Sequence, residues 1–249
     1  PDLRQSRAIL GCMLALFIIG GATAMWAEYQ PNPALNNPAV EQAAPQEGKE
    51  ARFGTTGTVL WSVATTAASN GSVNGMQDSL NPLSGMVSLV NMMVGEVIFG
   101  GVGAGMYGML LNVLIAVFLA GLMIGRTPEY LGKKLQAREV QLLVVTLLVM
   151  PVGTLVLGAI AASLPGPAGA ISNPGPHGFS QLLYAYTSAS ANNGSAFGGF
   201  SANTAFHNLM LSLSMLLGRF GYILPVLALA GSLAMKKTAP IGQNSFPTH

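Results

Sequence analysis

The chain has 249 residues, and only 8% of them are Asp, Glu, Lys or Arg, against about 25% in a typical soluble domain. Hydrophobic residues make up 51%, and the mean hydropathy is +0.50. Such a chain cannot cover a surface that faces water, which excludes an ordinary soluble protein, a disordered chain and a basic nucleic-acid binder. Cys12 is the single cysteine, so no intrachain disulfide can form. The composition indicates a polytopic membrane protein.

Three long stretches without a charged residue, 8–27, 97–125 and 140–218, supply the candidate membrane spans. A spanning helix needs about 20 mostly apolar residues. Residues 8–28 lack the small-residue cleavage site of a signal peptide and a soluble domain after it, so they predict a first span.

The basic clusters Arg4/Arg7, Arg126–Arg138 and Lys236/Lys237 are predicted to face the cytoplasm by the positive-inside rule. If all three clusters lie on one side, each half of the chain must cross the membrane an even number of times. Each half instead contains an odd number of apolar segments, so one segment in each half cannot be a full span. The shorter segments, 52–68 and 177–190, are each followed by a polar loop. They therefore predict re-entrant helices, which enter and leave the membrane on the same side.

The two halves align with each other at an offset of 123 residues, where TTAASNGS (65–72) matches SASANNGS (188–195). The predicted fold is an all-α polytopic membrane protein with two parallel M1-P-M2 repeats, each a span, a re-entrant pore helix and a second span. The first repeat, 1–139, contains an outside loop 29–51, a re-entrant helix 52–68, a loop 69–75, a broken span 86–124 and a cytoplasmic loop 125–139. The second, 140–249, contains a re-entrant helix 177–190, a loop 191–199, a span 204–235 and a cytoplasmic tail.

The polar loops that follow the re-entrant helices are candidate cation sites. Non-helical backbone at membrane depth is tolerated where protein or a water-filled cavity covers it. Glycine lets successive carbonyl oxygens turn toward one axis and replace the hydration shell of a cation. An ordinary turn is the alternative. Both loops also match the glycosylation sequon, at Asn70 and Asn193, which is the weaker interpretation for a buried loop.

Two charges lie within apolar spans at equivalent positions, because Gly95-Glu96 aligns with Gly218-Arg219. A charge facing lipid at a helix centre costs at least about 2.5–3.5 kcal/mol, so both are expected to face the protein interior. They border the ion pathway in one interpretation and form a purely structural pair in the other. After Glu96 the first half has about 13 extra residues, rich in glycine, which are expected to break the span and form a gate. Close helix packing is the alternative.

Catalytic motifs are missing from the sequence, which contains neither a nucleophile elbow nor a phosphate-binding loop. His177, His207 and His249 lack the spacing of metal ligands. Any energy source for transport must therefore come from another chain.

Five segments resemble one family, KdpA, the channel-like A subunit of the bacterial Kdp potassium-importing P-type ATPase. They are GEVIFGGVGAGMYGM (95–109), GRTPEYLGKK (125–134), NPGPHGF (173–179), NNGSAF (192–197) and GRFG (218–221). The resemblance implies the superfamily of K⁺ transporters, in which four span-pore-span repeats surround one filter. Two repeats are present here, and by analogy they are the third and fourth.

The resemblance also implies the site residues and partners. The K⁺ filter would be Ser69, Asn70, Gly71, Asn192, Asn193 and Gly194; the gate and pathway would be Glu96, Gly100, Gly101, Gly103, Gly105 and Arg219. Asn70 stands where members of the family can carry Cys. Arg126, Lys133 and Lys134 would contact a partner, or simply anchor the loop on the cytoplasmic side.

In this interpretation the chain selects K⁺ and passes it to a KdpB-type ATPase subunit, with KdpC-type and KdpF-type small subunits. The complex would lie in the bacterial inner membrane. K⁺ is the only ligand expected, without an organic cofactor or nucleic acid. The alternatives are a stand-alone K⁺ channel or ion-coupled transporter of the same superfamily, and a scaffold without transport activity.

Overall fold

The computed structural model describes residues 3–32, 46–95, 97–100 and 105–238. Four helices in this part of the chain are long and apolar enough to cross a membrane: Gln5–Glu28, Gly105–Met123, Ala137–Ser163 and Ala205–Met235. They confirm the prediction of a helical chain of membrane-protein type. One short hairpin is the exception to the all-α prediction.

The helices are, in chain order, α1 (Leu3–Glu28), α2 (Gly54–Ala67), α3 (Pro82–Met93), α4 (Gly105–Met123), α5 (Ala137–Pro151), α6 (Leu157–Ser163), α7 (Pro165–Ala168), α8 (Gly175–Ala191), α9 (Ala205–Leu216) and α10 (Tyr222–Met235). A 3₁₀ turn, Gln77–Ser79, precedes α3. Strands β1 (Glu129–Tyr130) and β2 (Lys133–Lys134) form the antiparallel hairpin. Two π-helical turns, Val152–Val156 and Leu217–Gly221, join α5 to α6 and α9 to α10.

The helix bounds recur at the 123-residue offset. α3 and α9 each have 12 residues, and both ends of α9 lie 123 positions after those of α3. Both helices begin at residues suited to a helix start. Asn81 precedes Pro82, whose missing N–H is tolerated in the first turn. Thr204 accepts a hydrogen bond from the backbone N–H of His207. α2 and α8, with 14 and 17 residues, also lie at equivalent positions.

The chain packs as two groups of helices that meet where α3 contacts α8. In the first group α1 packs against α2 and α3, around Ala24, Val59 and Val63. In the second, α8 packs against α9 and the π turn Val152–Val156, while α5 packs along α10. The junction itself is a small cluster of Met92, Tyr184 and Phe197. Both polar loops lie beside this junction.

The two π turns allow α8 to approach the long helices closely. A Cβ on Gly153 would lie 2.4 Å from Ser190 Oγ, and a Cβ on Gly218 would lie 1.8 Å from the carbonyl oxygen of Ser190. Ser190 also shares a 2.6 Å hydrogen bond with Ser214. The end of α8 therefore packs closely against both π turns, because Gly153 and Gly218 have no side chain at the contact.

A buried ion pair lies at one end of the first group. Lys49 Nζ lies 2.8 Å from Glu28 Oε1, and both side chains are at most 1% exposed. The second oxygen of Glu28 accepts the backbone N–H of Asn81 at 3.0 Å. The pair joins the end of α1, the segment before α2 and the start of α3.

Replacement of Glu28 by Gln should strongly destabilise the protein, by about 3–5 kcal/mol, because the Lys49 charge would stay buried without its partner. The measurement is the thermal unfolding midpoint of the full-length protein purified in detergent. Glu50→Gln is the matched control, since Glu50 pairs with Arg52 on the exposed surface and should leave the midpoint unchanged. Equal midpoints for the two variants would contradict the prediction.

Candidate functional site

α2 and α8 end in the same way, and this ending places the two polar loops. Ser69 follows α2 with φ 53°, and Asn192 follows α8 with φ 56°, both in the left-handed region. The next residue then donates its backbone N–H back to the helix, Asn70 to the Thr65 carbonyl at 2.8 Å and Asn193 to the Ser188 carbonyl at 3.0 Å. A left-handed residue after the last turn ends a helix by satisfying its free carbonyls.

The loops continue with matching Asn side-chain turns. Asn70 Oδ1 accepts the backbone N–H of Ser72 at 2.8 Å, and Asn193 Oδ1 accepts that of Ser195 at 2.9 Å. Asn side chains often stabilise turns by this bond to the residue two positions on. The local geometry of the two loops thus repeats at 123 residues, as their sequences do.

A hydroxyl group in the last turn of each helix contacts the backbone of the loop that follows. Thr65 Oγ1 lies 2.5 Å from the Asn70 carbonyl oxygen and 2.8 Å from that of Ser72. At the equivalent position, Ser188 Oγ accepts the backbone N–H of Gly194 at 3.1 Å. Each loop is therefore held in part by hydrogen bonds to its own helix.

The tips of the two loops touch through their glycines. A Cβ on Gly71 would lie 2.5 Å from the carbonyl oxygen of Asn193 and 3.3 Å from the Cα of Gly194. Gly194 has φ 94°, a conformation that residues with a Cβ rarely adopt. The structure thus brings together the segments 69–71 and 192–194, which contain the six residues that the sequence proposes as a filter.

Part of the candidate gate lies between α3 and α4. Gly95 has φ 79° just after α3, and Phe99 has φ 58° and packs edge-on against Phe17. Gly100 and Gly105 are in contact, because a Cβ on Gly105 would lie 2.3 Å from the Cα of Gly100. Glu96, Gly101 and Gly103 lie outside the described residues.

Beside this segment is a cavity of about 800 Å³ between α1, α3, α4 and α5. Its lining is mostly apolar, with Cys12, Met86, Met150 and Ile98 among its side chains. Asn91, Asn112 and Thr146 add a few polar groups.

Arg219 does not occupy the interior position that the sequence predicts. It lies in the π turn Leu217–Gly221, and its side chain is exposed in this chain. Gly218 faces α8, so the next residue along the helix points to a different side. The described residues therefore leave this charge uncovered.

The three basic residues proposed as a partner contact differ in exposure. Arg126 is exposed, whereas Lys133 is half-buried and donates to the carbonyl of Lys236. Lys134 is exposed, and its carbonyl accepts from Lys236 Nζ at 2.9 Å. Lys236 also pairs with the buried Glu139 at 2.5 Å. The hairpin is thus attached to the ends of α5 and α10.

Other residues near the loops were not identified from the sequence. Asp78 accepts from Gln181 at 2.9 Å and from Asn173 at 3.1 Å, and it pairs with His177 at 2.7 Å. Tyr184 contacts both Gln77 and Ser195. The repeat could have indicated Tyr184, because Tyr184 aligns with Trp61. Trp61 also donates a hydrogen bond to its own loop, at the Ser72 carbonyl.

Within the described ranges no three His, Cys, Asp or Glu side chains lie close enough together to hold a metal ion. The groups that could bind a cation at the loops are therefore neutral carbonyl, amide and hydroxyl oxygens. Such oxygens suit a weakly hydrated monovalent ion.

A family model described as "KdpA: Potassium-transporting ATPase A subunit" matches residues 1–249. The chain belongs to the KdpA family. It is 95% identical over 248 residues to the potassium-transporting ATPase potassium-binding subunit of Pseudomonas fluorescens (strain SBW25). The proteins of the same name from Pseudomonas aeruginosa (strain PAO1) and Rhodospirillum centenum are 77% and 57% identical to it.

Each of these alignments covers the whole chain but only 44% of the relative. The chain therefore spans less than half the length of the curated KdpA-family proteins that it matches. Surfaces exposed here, including the side of α9–α10 that carries Arg219, need not be exposed in a protein of that length.

Gly218→Ala should destabilise this KdpA-family protein, because its Cβ would overlap the backbone of Ser190 and push α8 away from α9. Overpacking of this kind typically costs about 1–3 kcal/mol. The thermal unfolding midpoint of the full-length protein in detergent measures the effect. Gly158→Ala, in α6 and already buried within this chain, would place its Cβ in ordinary contact with Tyr186 at 3.7 Å, so it should leave the midpoint unchanged or raise it. A loss for Gly158→Ala as large as that for Gly218→Ala would refute the contact.

Proposed function

We propose that this chain contributes part of the K⁺-binding site of an ATP-driven potassium importer. The observation that carries the proposal is the meeting of two loops of matching local geometry at Gly71 and Gly194. Family membership supports it, because relatives from three species are named potassium-binding subunits of a potassium-transporting ATPase.

In this proposal the segments Ser69–Gly71 and Asn192–Gly194 form two sides of a K⁺ filter. Carbonyl oxygens replace the water molecules around K⁺ only if the backbone holds them in the correct geometry. The turns at Asn70 and Asn193 and the hydroxyl braces at Thr65 and Ser188 supply that rigidity. The remaining sides of the filter would come from the part of the longer protein not contained in this chain.

The proposed topology has α2 and α8 as re-entrant pore helices, and residues 1–139 and 140–249 as two parallel M1-P-M2 repeats. Their short lengths, 14 and 17 residues, support this, since a full span needs about 20. The basic ends near Arg126–Arg138 and Lys236 would lie in the cytoplasm, with the protein in the bacterial inner membrane.

The interruption between α3 and α4 would be the gate. Gly100, Gly101, Gly103 and Gly105 would belong to this gate, next to the 800 Å³ cavity. Glu96 and Arg219 would border the pathway from there. The exposure of Arg219 in this chain is consistent with a role at a surface that other parts of the complex cover.

The energy would come from ATP hydrolysis in a KdpB-type partner, with KdpC-type and KdpF-type small subunits completing the complex. K⁺ would be the transported ion, and no organic cofactor is proposed. Arg126, Lys133 and Lys134 remain the candidate contact with the ATPase subunit. Of the three, exposed Arg126 and Lys134 are better placed than Lys133, which already binds the end of α10.

The proposal predicts that Gly194→Asp and Gly194→Ala raise the K⁺ concentration for half-maximal ATP hydrolysis by about tenfold or more. A side chain at φ 94° strains the backbone by about 1–3 kcal/mol and would turn the carbonyls away from the ion. The Ala variant separates this conformational effect from the added charge of Asp. The measurement is ATP hydrolysis by the purified complex of the full-length subunit and its ATPase across a K⁺ titration.

Gly158→Ala serves again as the control and should leave the titration unchanged. Unaltered K⁺ dependence in both Gly194 variants would remove this loop from the ion site. Transport of K⁺ by the full-length protein alone, without ATP, would favour a stand-alone channel or ion-coupled transporter.

A further inference from the structure

A row of hydrogen-bonded side chains crosses from the first half of the chain to the second loop. It starts at Ser62 on α2, which lies 3.2 Å from the Gln77 amide nitrogen. The Gln77 amide oxygen lies 2.5 Å from the Tyr184 hydroxyl, which lies 2.8 Å from Ser195 Oγ. Ser195 Oγ lies 2.5 Å from Asn193 Oδ1. The row thus ends on the side chain that shapes the proposed filter loop.

The middle of this row is enclosed by protein. Tyr184 has no exposed surface, and Gln77 and Ser195 are each 4% exposed. Phe197 stacks on the Tyr184 ring at a centroid distance of 4.2 Å, and Met92 packs beside both rings. A polar group in such a place must find its hydrogen bond within the protein.

A count of protons shows that the row must have a direction. Three contacts join Gln77 Oε1, Tyr184, Ser195 and Asn193 Oδ1, but the two hydroxyl groups supply only two protons. Asn193 Oδ1 must be an acceptor, because it also receives the backbone N–H of Ser195. With Gln77 as an acceptor at the other end, one of the three contacts would have no proton.

Rotation of the Gln77 amide by 180° resolves this count. Its NH₂ then donates to Tyr184, Tyr184 donates to Ser195, and Ser195 donates to Asn193. The Gln77 oxygen then faces Ser62, whose hydroxyl can donate to it, while Ser88, 2.9 Å away, donates to Ser62. Each contact from α3 to the second loop has one proton in this arrangement.

From this arrangement we infer that Gln77 and Tyr184 are positioning residues, which hold the Asn193–Gly194 carbonyls and set K⁺ discrimination. The inference rests on the proposed function of the loops. Neither side chain needs to touch the ion, because each acts through Ser195 and the Asn193 side-chain turn. The first half of the chain thereby fixes the geometry of the loop in the second half.

The first loop differs in this respect. At the position equivalent to Tyr184, Trp61 donates a single hydrogen bond to the Ser72 carbonyl at 3.2 Å, and its side chain is 42% exposed. Among the described residues, only the second loop is thus connected to the other half by a side-chain row of this kind. Its carbonyls should be the more sensitive of the two to loss of that connection.

The test is Tyr184→Phe in the complex of the full-length subunit with its ATPase, and Tyr186→Phe is the matched control. Tyr186 lies on the same helix and is equally buried, but its hydroxyl contacts His207 Nδ1 at 3.1 Å, away from the loop. Half-maximal concentrations of K⁺ and Rb⁺ for ATP hydrolysis are measured for each variant. Tyr184→Phe should raise that for K⁺ by about three- to tenfold and reduce the preference for K⁺ over Rb⁺, with the maximal rate retained. Tyr186→Phe should change neither.

Two further variants keep the test decisive if Tyr184→Phe assembles poorly. Ser195→Ala removes one oxygen from the same row, and Gln77→Met keeps the approximate size of the side chain but removes its donor; both should reproduce the Tyr184→Phe change. The double variant Tyr184→Phe with Gln77→Met should shift no further than the larger single change, since both interrupt one row. Additive shifts, or equal shifts in Tyr184→Phe and Tyr186→Phe, would overturn the inference.

The Gly194→Ala titration distinguishes failure of the proposed ion site from failure of the positioning role. Failure of Gly194→Ala to alter K⁺ dependence would refute the ion site itself. A shift for Gly194→Ala together with wild-type selectivity in Tyr184→Phe and Ser195→Ala would refute only the positioning role.

Discussion

The contact between Gly71 and the Asn193–Gly194 backbone is the constraint on which the rest of the structure depends. No side chain fits between the two loops, since a Cβ on Gly71 would lie 2.5 Å from a carbonyl oxygen. Two non-helical segments can approach so closely only if their polar backbone groups are already satisfied. The Asn side-chain turns and the hydroxyls of Thr65 and Ser188 satisfy part of them. Each loop is therefore stabilised in part by its own helix at the place where the two loops meet.

The surrounding helices bring these loops together by different means in the two halves. In the first, the buried Glu28–Lys49 pair and Asn81 join the ends of α1 and α3 around α2. In the second, Gly153 and Gly218 let the end of α8 lie between two π-helical turns. The Asn192 side chain donates to the Met215 carbonyl at 3.2 Å, just before the second of these turns. The long span therefore holds the second loop by a direct hydrogen bond.

The sequence predicted the parts of this arrangement that depend on local pattern. Uncharged stretches predicted a helical membrane protein, which the four long apolar helices confirm, and the KdpA resemblance is confirmed by the family match. Contacts between the halves could not be predicted in this way. The period of the hydrophobic pattern cannot predict that Gln77 contacts Tyr184, 107 positions further along the chain. Arg219 was expected to be enclosed because a charge is costly in lipid, but that argument applies to the whole protein, of which this chain is less than half.

Charge also limits which ion the loops could bind in the proposed function. Segments 69–75 and 191–199 contain no Asp or Glu, and the nearby Asp78 is engaged by His177, Gln181 and Asn173. A small divalent cation such as Mg²⁺ loses its water reluctantly and usually requires carboxylates. Neutral oxygens can instead replace the weaker hydration shell of K⁺, provided that their spacing is fixed. Selectivity in such a site would depend on geometry more than on charge. The hydrogen-bonded row behind Asn193 would then influence selectivity through the loop geometry, although none of its side chains carries a charge.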